Sequence, residues 1–136
     1  MDEQELRSRF ASAQVARLAT VGAGGRPHLV PICFALDEQT LYFAVDSKPK
    51  QTTNLKRLRN IAANPAVSIL VDHYDPDWNR LWWVRLDGDA RVVTEESEMD
   101  NALRLLGARY SQYRAMAPAG PLVAVDIAGM TGWSAT

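Results

Sequence analysis

LWWVRLDGDARVVT, Leu81–Thr94, is the stretch that decides the fold. Trp82, Val84, Leu86, Ala90 and Val92 fall on one face of an extended chain, and Arg85, Asp87, Asp89 and Arg91 fall on the other. That period of two predicts a long half-buried strand. Gly88 in its middle predicts a bulge or bend, the device by which a sheet curls toward a barrel. The adjacent tryptophans, Trp82 and Trp83, must face opposite ways. One of them meets a helix, a partner subunit or a flat ligand, and packing in a core or an interface explains the pair equally well.

The flanking segments extend the same pattern. VARLATV (15–21), HLVPICFAL (28–36), LYFAV (41–45), AVSILVDHY (66–74) and PLVAVDIAGM (121–130) read as strands, which makes six with the first. Pro31 cannot donate to a ladder, so the second strand lies at an edge or carries a bulge. GAGGRP and DEQT read as turns. YSQYRAMAPAG reads as irregular and TGWSAT as a tail. Helices are predicted over 3–13, about 50–63 and 95–109, where Leu6/Phe10, Leu55/Leu58/Ala62 and Met99/Leu103/Leu106 recur at helical spacing. The order is not alternating βαβ. It predicts a mainly β chain, a closed or nearly closed antiparallel barrel with helices packed outside, in one domain over 1–136.

Composition narrows the function. A formal net charge of −1 with 47% apolar residues describes a folded globular chain and argues against a general nucleic-acid binder. Cys33, the single cysteine, excludes an internal disulfide and fits a reducing compartment. No apolar run approaches the roughly 20 residues of a membrane span, and the charged first residues are unlike a signal peptide. These features predict a soluble cytoplasmic protein. The histidines, His28 and His73, make no zinc spacing with Cys33, so no metal site is expected. His73, near Asp72 and Asp75, reads as an acid/base or as a strand-end rim residue. No nucleophile elbow or P-loop is present, and no catalytic residue is assigned.

Against this even background, SKPKQTTNLKRLRNIAANP (47–65) concentrates Lys48, Lys50, Lys56, Arg57 and Arg59, five of the fifteen cations. No acid lies between Asp46 and Asp72. Unpaired N–H groups and the macrodipole at a helix start attract anions. Lys48, Lys50, Thr52 and Thr53 there, with Arg57 further along, form a plausible phosphate seat. A solvated basic helix face is the plainer reading of the same charges. A barrel with a phosphate seat, aromatic walls and no acid/base set suits a protein whose chemistry comes from a bound cofactor.

Taken together, VARLATV, GRPHLVPICFALD, LYFAVDSKPK, NIAANPAVSILVD and WWVRLDGDARVV resemble the pyridoxamine 5′-phosphate oxidase-like split β-barrel superfamily. Within it, they are similar to the actinobacterial branch of coenzyme F-420 (deazaflavin)-dependent oxidoreductases. The resemblance runs from about Phe10 to Trp133 and is carried by LATV-x4-RPHLVP, the KPK helix start and N-I-x-x-N-P-x-V-S-I-L-V-D. It implies a six-stranded antiparallel split barrel, FMN-binding-like, in a two-fold homodimer with the cofactor in a groove at the interface. Ile32, Cys33, Phe34, Ala35 and Leu36 would run along the tricyclic ring and offer backbone contacts. Lys48, Lys50, Thr52 and Thr53 would hold the phosphate. Arg57 falls where the family often has a phosphate-binding lysine, and Trp82 matches an aromatic position near the ring. The segment between Val45 and Asn60 is about a helical turn longer than in some relatives, so Lys50 and Arg57 both stand for the main phosphate position. The implied activity is hydride transfer from the deazaflavin to a planar unsaturated small molecule, with solvent, His73 or Tyr74 as proton source. FMN is the alternative cofactor. Non-catalytic binding of a flavin, deazaflavin or tetrapyrrole is the alternative function.

Overall fold

The structure, a computed structural model, describes residues 1–45 and 56–136. Its strands are β1 (Ala16–Val21), β2 (Pro27–Ile32), β3 (Ala35–Leu36), β4 (Thr40–Ala44), β5 (Ala66–His73), β6 (Trp82–Val92) and β7 (Leu122–Ser134). They form one antiparallel sheet in the order β2-β1-β5-β6-β7-β4-β3. The edge strands, β2 and β3, are consecutive in the chain. The chain leaves one edge at Ile32 and joins the other at Ala35, so the sheet curls until its edges meet at Cys33–Phe34. This is the split-barrel form.

There are seven strands where the sequence suggested six, because the segment expected as one strand over 28–36 divides. Phe34 is the dividing residue. Its N–H donates to the Tyr110 hydroxyl (3.0 Å). That hydroxyl shares its proton between the carbonyls of Gln14 (3.0 Å) and Phe34 (3.1 Å). A side chain thus satisfies the backbone groups that a ladder would otherwise bond.

The bulge expected in β6 is present. The β6–β7 register shifts between Asp87 and Gly88, leaving Ala128 as the extra residue. A Cβ on Gly88 would stand 2.4 Å from the Asp126 carbonyl oxygen, so only glycine fits. β7 also runs further than expected. Thr131–Ser134, read as tail, pair with β6 as far as Trp82. Val92 is exposed, so the inward alternation of β6 ends at Ala90.

α1 (Glu3–Ser12) is capped by the Asp2 carboxylate, which accepts from the Glu5 N–H. Its Phe10 is fully buried in the barrel core with Leu18, Ile69, Leu86 and Val123. It therefore plugs the barrel and does not merely pack outside it. α2 (Lys56–Ala63 within the described residues) covers the other end with Ile61, and its Asn60 Nδ2 donates to Thr20 Oγ1 (3.0 Å). α3 (Glu96–Arg109) lies on the outside. Ala102 and Leu106 bury Ala35, Tyr42, Leu122 and Ala124 in a second core. The segment expected as irregular contains a short helix, α4 (Ser111–Ala115).

Candidate functional site: the uncovered sheet face

Each strand turns alternate residues inward, so the outer face must be covered by something or meet solvent. α3 covers it over β3, β4 and the adjoining parts of β6 and β7. Over β2, β1, β5 and the first half of β6, no described helix packs on it. The pairing register writes this bare face out in rows. Leu29, Ala19, Ser68, Asp87 and Gly129 form one. Pro31, Arg17, Leu70, Arg85 and Thr131 form the next. Asp72, Trp83 and Trp133 form the third.

The face exposes large apolar side chains among its polar ones, where a solvated sheet would be polar throughout. Leu29 is 67% exposed, Trp133 47% and Leu70 37%. Trp83 stands opposite Trp133 and is half-buried. Two shallow grooves mark the face. One, of about 480 Å3, has a floor of small residues, including Ala19, Ala66, Gly88 and Ala128, and reaches Asn64 just beyond α2. The other, of about 390 Å3, lies among Leu70, Asp72, Trp83 and Arg85. Asp87 joins them as a fixed polar point. It accepts from Ser68 Oγ (2.6 Å) and pairs with Arg85 Nε (3.1 Å). Arg17 makes no ion pair among the described residues. A flat, partly aromatic surface with guanidiniums among its apolar residues can receive a planar anionic ring system or a second copy of the same face.

The residues anticipated from sequence divide among several places. Ile32, Phe34 and Ala35 are buried, and Cys33 and Leu36 are half-buried. Phe34 meets the Phe10 ring edge-on at 5.2 Å and lies 4.8 Å beneath the Arg109 guanidinium. Its backbone groups are already bonded to Tyr110, so contacts to a ligand along 32–36 fall to the neighbouring backbone. Lys48, Lys50, Thr52 and Thr53 lie outside the described residues. Arg57 is half-buried on α2, and its buried Nε has no hydrogen-bond partner among the described residues. A buried donor without a partner is costly, which makes this guanidinium a fitting anchor for an anion beside the cationic segment.

Trp82 does not share the bare face. It points inward at the α1 end, stacked on His73 (5.9 Å, 18°) and 5.5 Å from the Arg9 guanidinium. Arg57 sits at the α2 end, so within one chain the two residues stand at opposite ends of the barrel. The outward aromatic is Trp83. Sequence reasoning left Trp82 and Trp83 open until the resemblance favoured Trp82, and it gave no site role to Trp133, Leu70, Arg17 or Arg85. The one signal available was the even-and-odd phase of β6, which separates Trp83 and Arg85 from Trp82 and Val84.

Comparison with known proteins agrees with this architecture. The chain spans 38% of the length of a curated relative that it matches, a 5a,11a-dehydrotetracycline/5a,11a-dehydrooxytetracycline reductase of Streptomyces rimosus. The match is 39% identical over 56 residues, or 41% of this chain. Among solved structures, a conserved hypothetical protein from Mycobacterium tuberculosis superposes with a TM-score of 0.81 at 21% identity, over 99% of this chain and 86% of that one. An FAD-binding protein from Mesorhizobium loti superposes with a TM-score of 0.73 at 20% identity, over 97% of this chain and 94% of that one. At these identities the two structures establish likeness of fold. The profile described as pyridoxamine 5′-phosphate oxidase matches residues 2–134, and with it the chain belongs to the pyridoxamine 5′-phosphate oxidase family.

Proposed function

We propose that the protein is an oxidoreductase that binds a phosphate-bearing flavin-type cofactor between the bare sheet faces of a two-fold homodimer. Coenzyme F-420 is our choice of cofactor. The observation that carries the reading is the bare face itself. Its exposed leucines and paired tryptophans, with Arg17 and Arg85 among them, are suited to a flat ring and a second subunit. The partial match to a reductase supports the reaction class. The concentration of cations over 48–59 supports F-420, whose phosphodiester and glutamate tail demand more positive charge than FMN does.

In this reading Lys48, Lys50, Thr52, Thr53 and Arg57 hold the phosphate. Leu70 and Trp83 orient the ring and exclude water from it. Bound in reduced form, the cofactor supplies a hydride from C5 to a planar unsaturated substrate. His73 stacks on Trp82 on the inward side of its strand, away from the bare face, which leaves solvent or the exposed Tyr74 as the proton source.

Titration of the protein with F-420 and separately with FMN, followed by tryptophan quenching, tests the proposal. F-420 should quench strongly and FMN weakly, and Trp83→Phe should remove much of the signal. Tight FMN binding with no F-420 binding would transfer the reading to an FMN enzyme. Binding of neither would refute a flavin-type cofactor.

A further inference from the structure

A second groove, at the α1 end of the barrel, plays no part in the reading above. It measures about 480 Å3 and lies between α1, the 3-10 turn Trp78–Arg80 and the end of β7. Ser8, Arg9, Asn79, Arg80, Trp82 and Thr136 are among the residues that line it, and among the described residues no lining side chain is an Asp or Glu. Trp82 places it on the inward side of β6, away from the bare face.

Its cations are poorly neutralised. Arg80 makes no ion pair among the described residues. The ion pair of Arg9 is a long one, 3.7 Å to the exposed Glu5. The two acids of the adjoining loop are turned to other groups. Asp75 accepts from the Asp77 N–H (2.8 Å) and faces His73 (3.9 Å), while Asp77 accepts from the Asn79 N–H (3.1 Å). The platform that carries Arg80 is also fixed. Asp77 caps its turn, the Ala135 N–H donates to the Leu81 carbonyl (3.0 Å), and Thr136 Oγ1 donates to the Asn79 carbonyl (3.3 Å). Two guanidiniums, a carboxamide and four hydroxyls therefore border one polar hollow with the indole of Trp82 as a wall.

We propose that this groove binds the phosphate group of a small molecule, at a site separate from the cofactor face. The charge of two guanidiniums matches a phosphate dianion. Its oxygens can use forked guanidinium donors together with the Asn79 amide and Ser8 hydroxyl, more donors than one carboxylate takes up. The rest of such a molecule would lie along Trp82.

The test is a titration of the intact 15N-labelled protein with inorganic phosphate, read at the Asn79 carboxamide, the Arg80 Nε–H and the Trp82 indole N–H. Sodium chloride at matched ionic strength is the control. Saturable shifts of these signals in the millimolar range are expected. Arg80→Ala should weaken the response of Asn79 and Trp82 by tenfold or more, as loss of a charge-assisted bond implies. Arg26→Ala, on the exposed β1–β2 turn, should leave it unchanged. Arg80 is exposed, so its replacement leaves the core intact, and far-UV circular dichroism confirms that independently. Non-saturating shifts equal to those of chloride, shifts confined to residues 46–55, or an unchanged response in Arg80→Ala would each overturn the proposal.

Discussion

Replacing Tyr110 by phenylalanine removes one oxygen and tests how the barrel is closed. Phe34 is fully buried, and its N–H finds its acceptor in the Tyr110 hydroxyl at 3.0 Å. Without that oxygen a buried donor is left unsatisfied, at a cost of about 1–3 kcal/mol. The proton shared between the Gln14 and Phe34 carbonyls is lost as well, worth about 0.5–1.5 kcal/mol more. The combined loss is about 3 kcal/mol. For 136 residues the unfolding entropy is about 0.29 kcal/mol per kelvin, so Tm should fall by about 10 °C. Urea unfolding at fixed protein concentration gives the free energy directly, and fixed concentration matters if the protein dimerises. Tyr74→Phe, at an exposed position, is the control and should change stability by less than about 0.5 kcal/mol. A Tyr110→Phe protein within about 0.5 kcal/mol of its parent would show that the crossing at Phe34 does not depend on this hydroxyl, and the account of the divided strand would fail.

Gly88→Ala forces a Cβ to within 2.4 Å of the Asp126 carbonyl oxygen and should cost about 2–4 kcal/mol in thermal unfolding. Gly24→Ala meets no atom within 4 Å and should be near neutral. The Glu98 carboxyl is held below its ordinary 4.5 chiefly by hydrogen bonds from the Arg91 guanidinium, at 2.6 and 2.9 Å. Since its folded pKa is depressed, the stability it contributes is present above the unfolded value and is lost as pH falls through the folded one. A Glu98→Gln protein should therefore lose less stability than its parent between pH 5 and pH 3, roughly, as measured by urea midpoints, and parallel curves would contradict the coupling. Leu70→Asp places a charge in the centre of the bare face, so sedimentation velocity should show a shift from dimer to monomer. A variant as dimeric as its parent would place the interface elsewhere.

Much of the barrel is readable from side-chain period, because most inward residues of β1, β5 and β6 are apolar while outward neighbours such as Arg17, Ser68, Arg85 and Asp87 are polar. The glycine bulge is readable for the same reason: a buried strand centre has no use for glycine unless a Cβ would collide. The division at Phe34 is not readable, since its cause, Tyr110, lies 76 residues away. The end of β7 is hidden by its composition. Thr, Gly and Ser suggest a loop, yet Thr131–Ser134 are held as strand by the length of their partner β6. The plug role of α1 is equally non-local. Leu6 and Phe10 define an apolar face, but only the closing sheet decides that the face enters the barrel.

The two tryptophans show what the candidate site owes to tertiary structure. Alternation alone says that Trp82 and Trp83 face apart, and a resemblance by position favoured Trp82 as the ring contact. Which of them meets a flat partner depends on where α3 lies. Because α3 covers the outside of β3, β4 and the later part of β6, the early part of β6 keeps a bare outer face, and Trp83 stands there with Leu70 and Trp133. Trp82 instead stacks on His73 beside α1, where it walls a polar groove. The aromatic pair therefore serves two surfaces. Substitution at Trp83 should act on cofactor affinity and dimer stability together, because ring and partner occupy the same face in the proposed assembly. Substitution at Trp82 should alter the phosphate response of the second groove and leave the dimer intact. If Trp82→Phe dissociated the dimer and Trp83→Phe did not, the assignment of the two faces would be reversed.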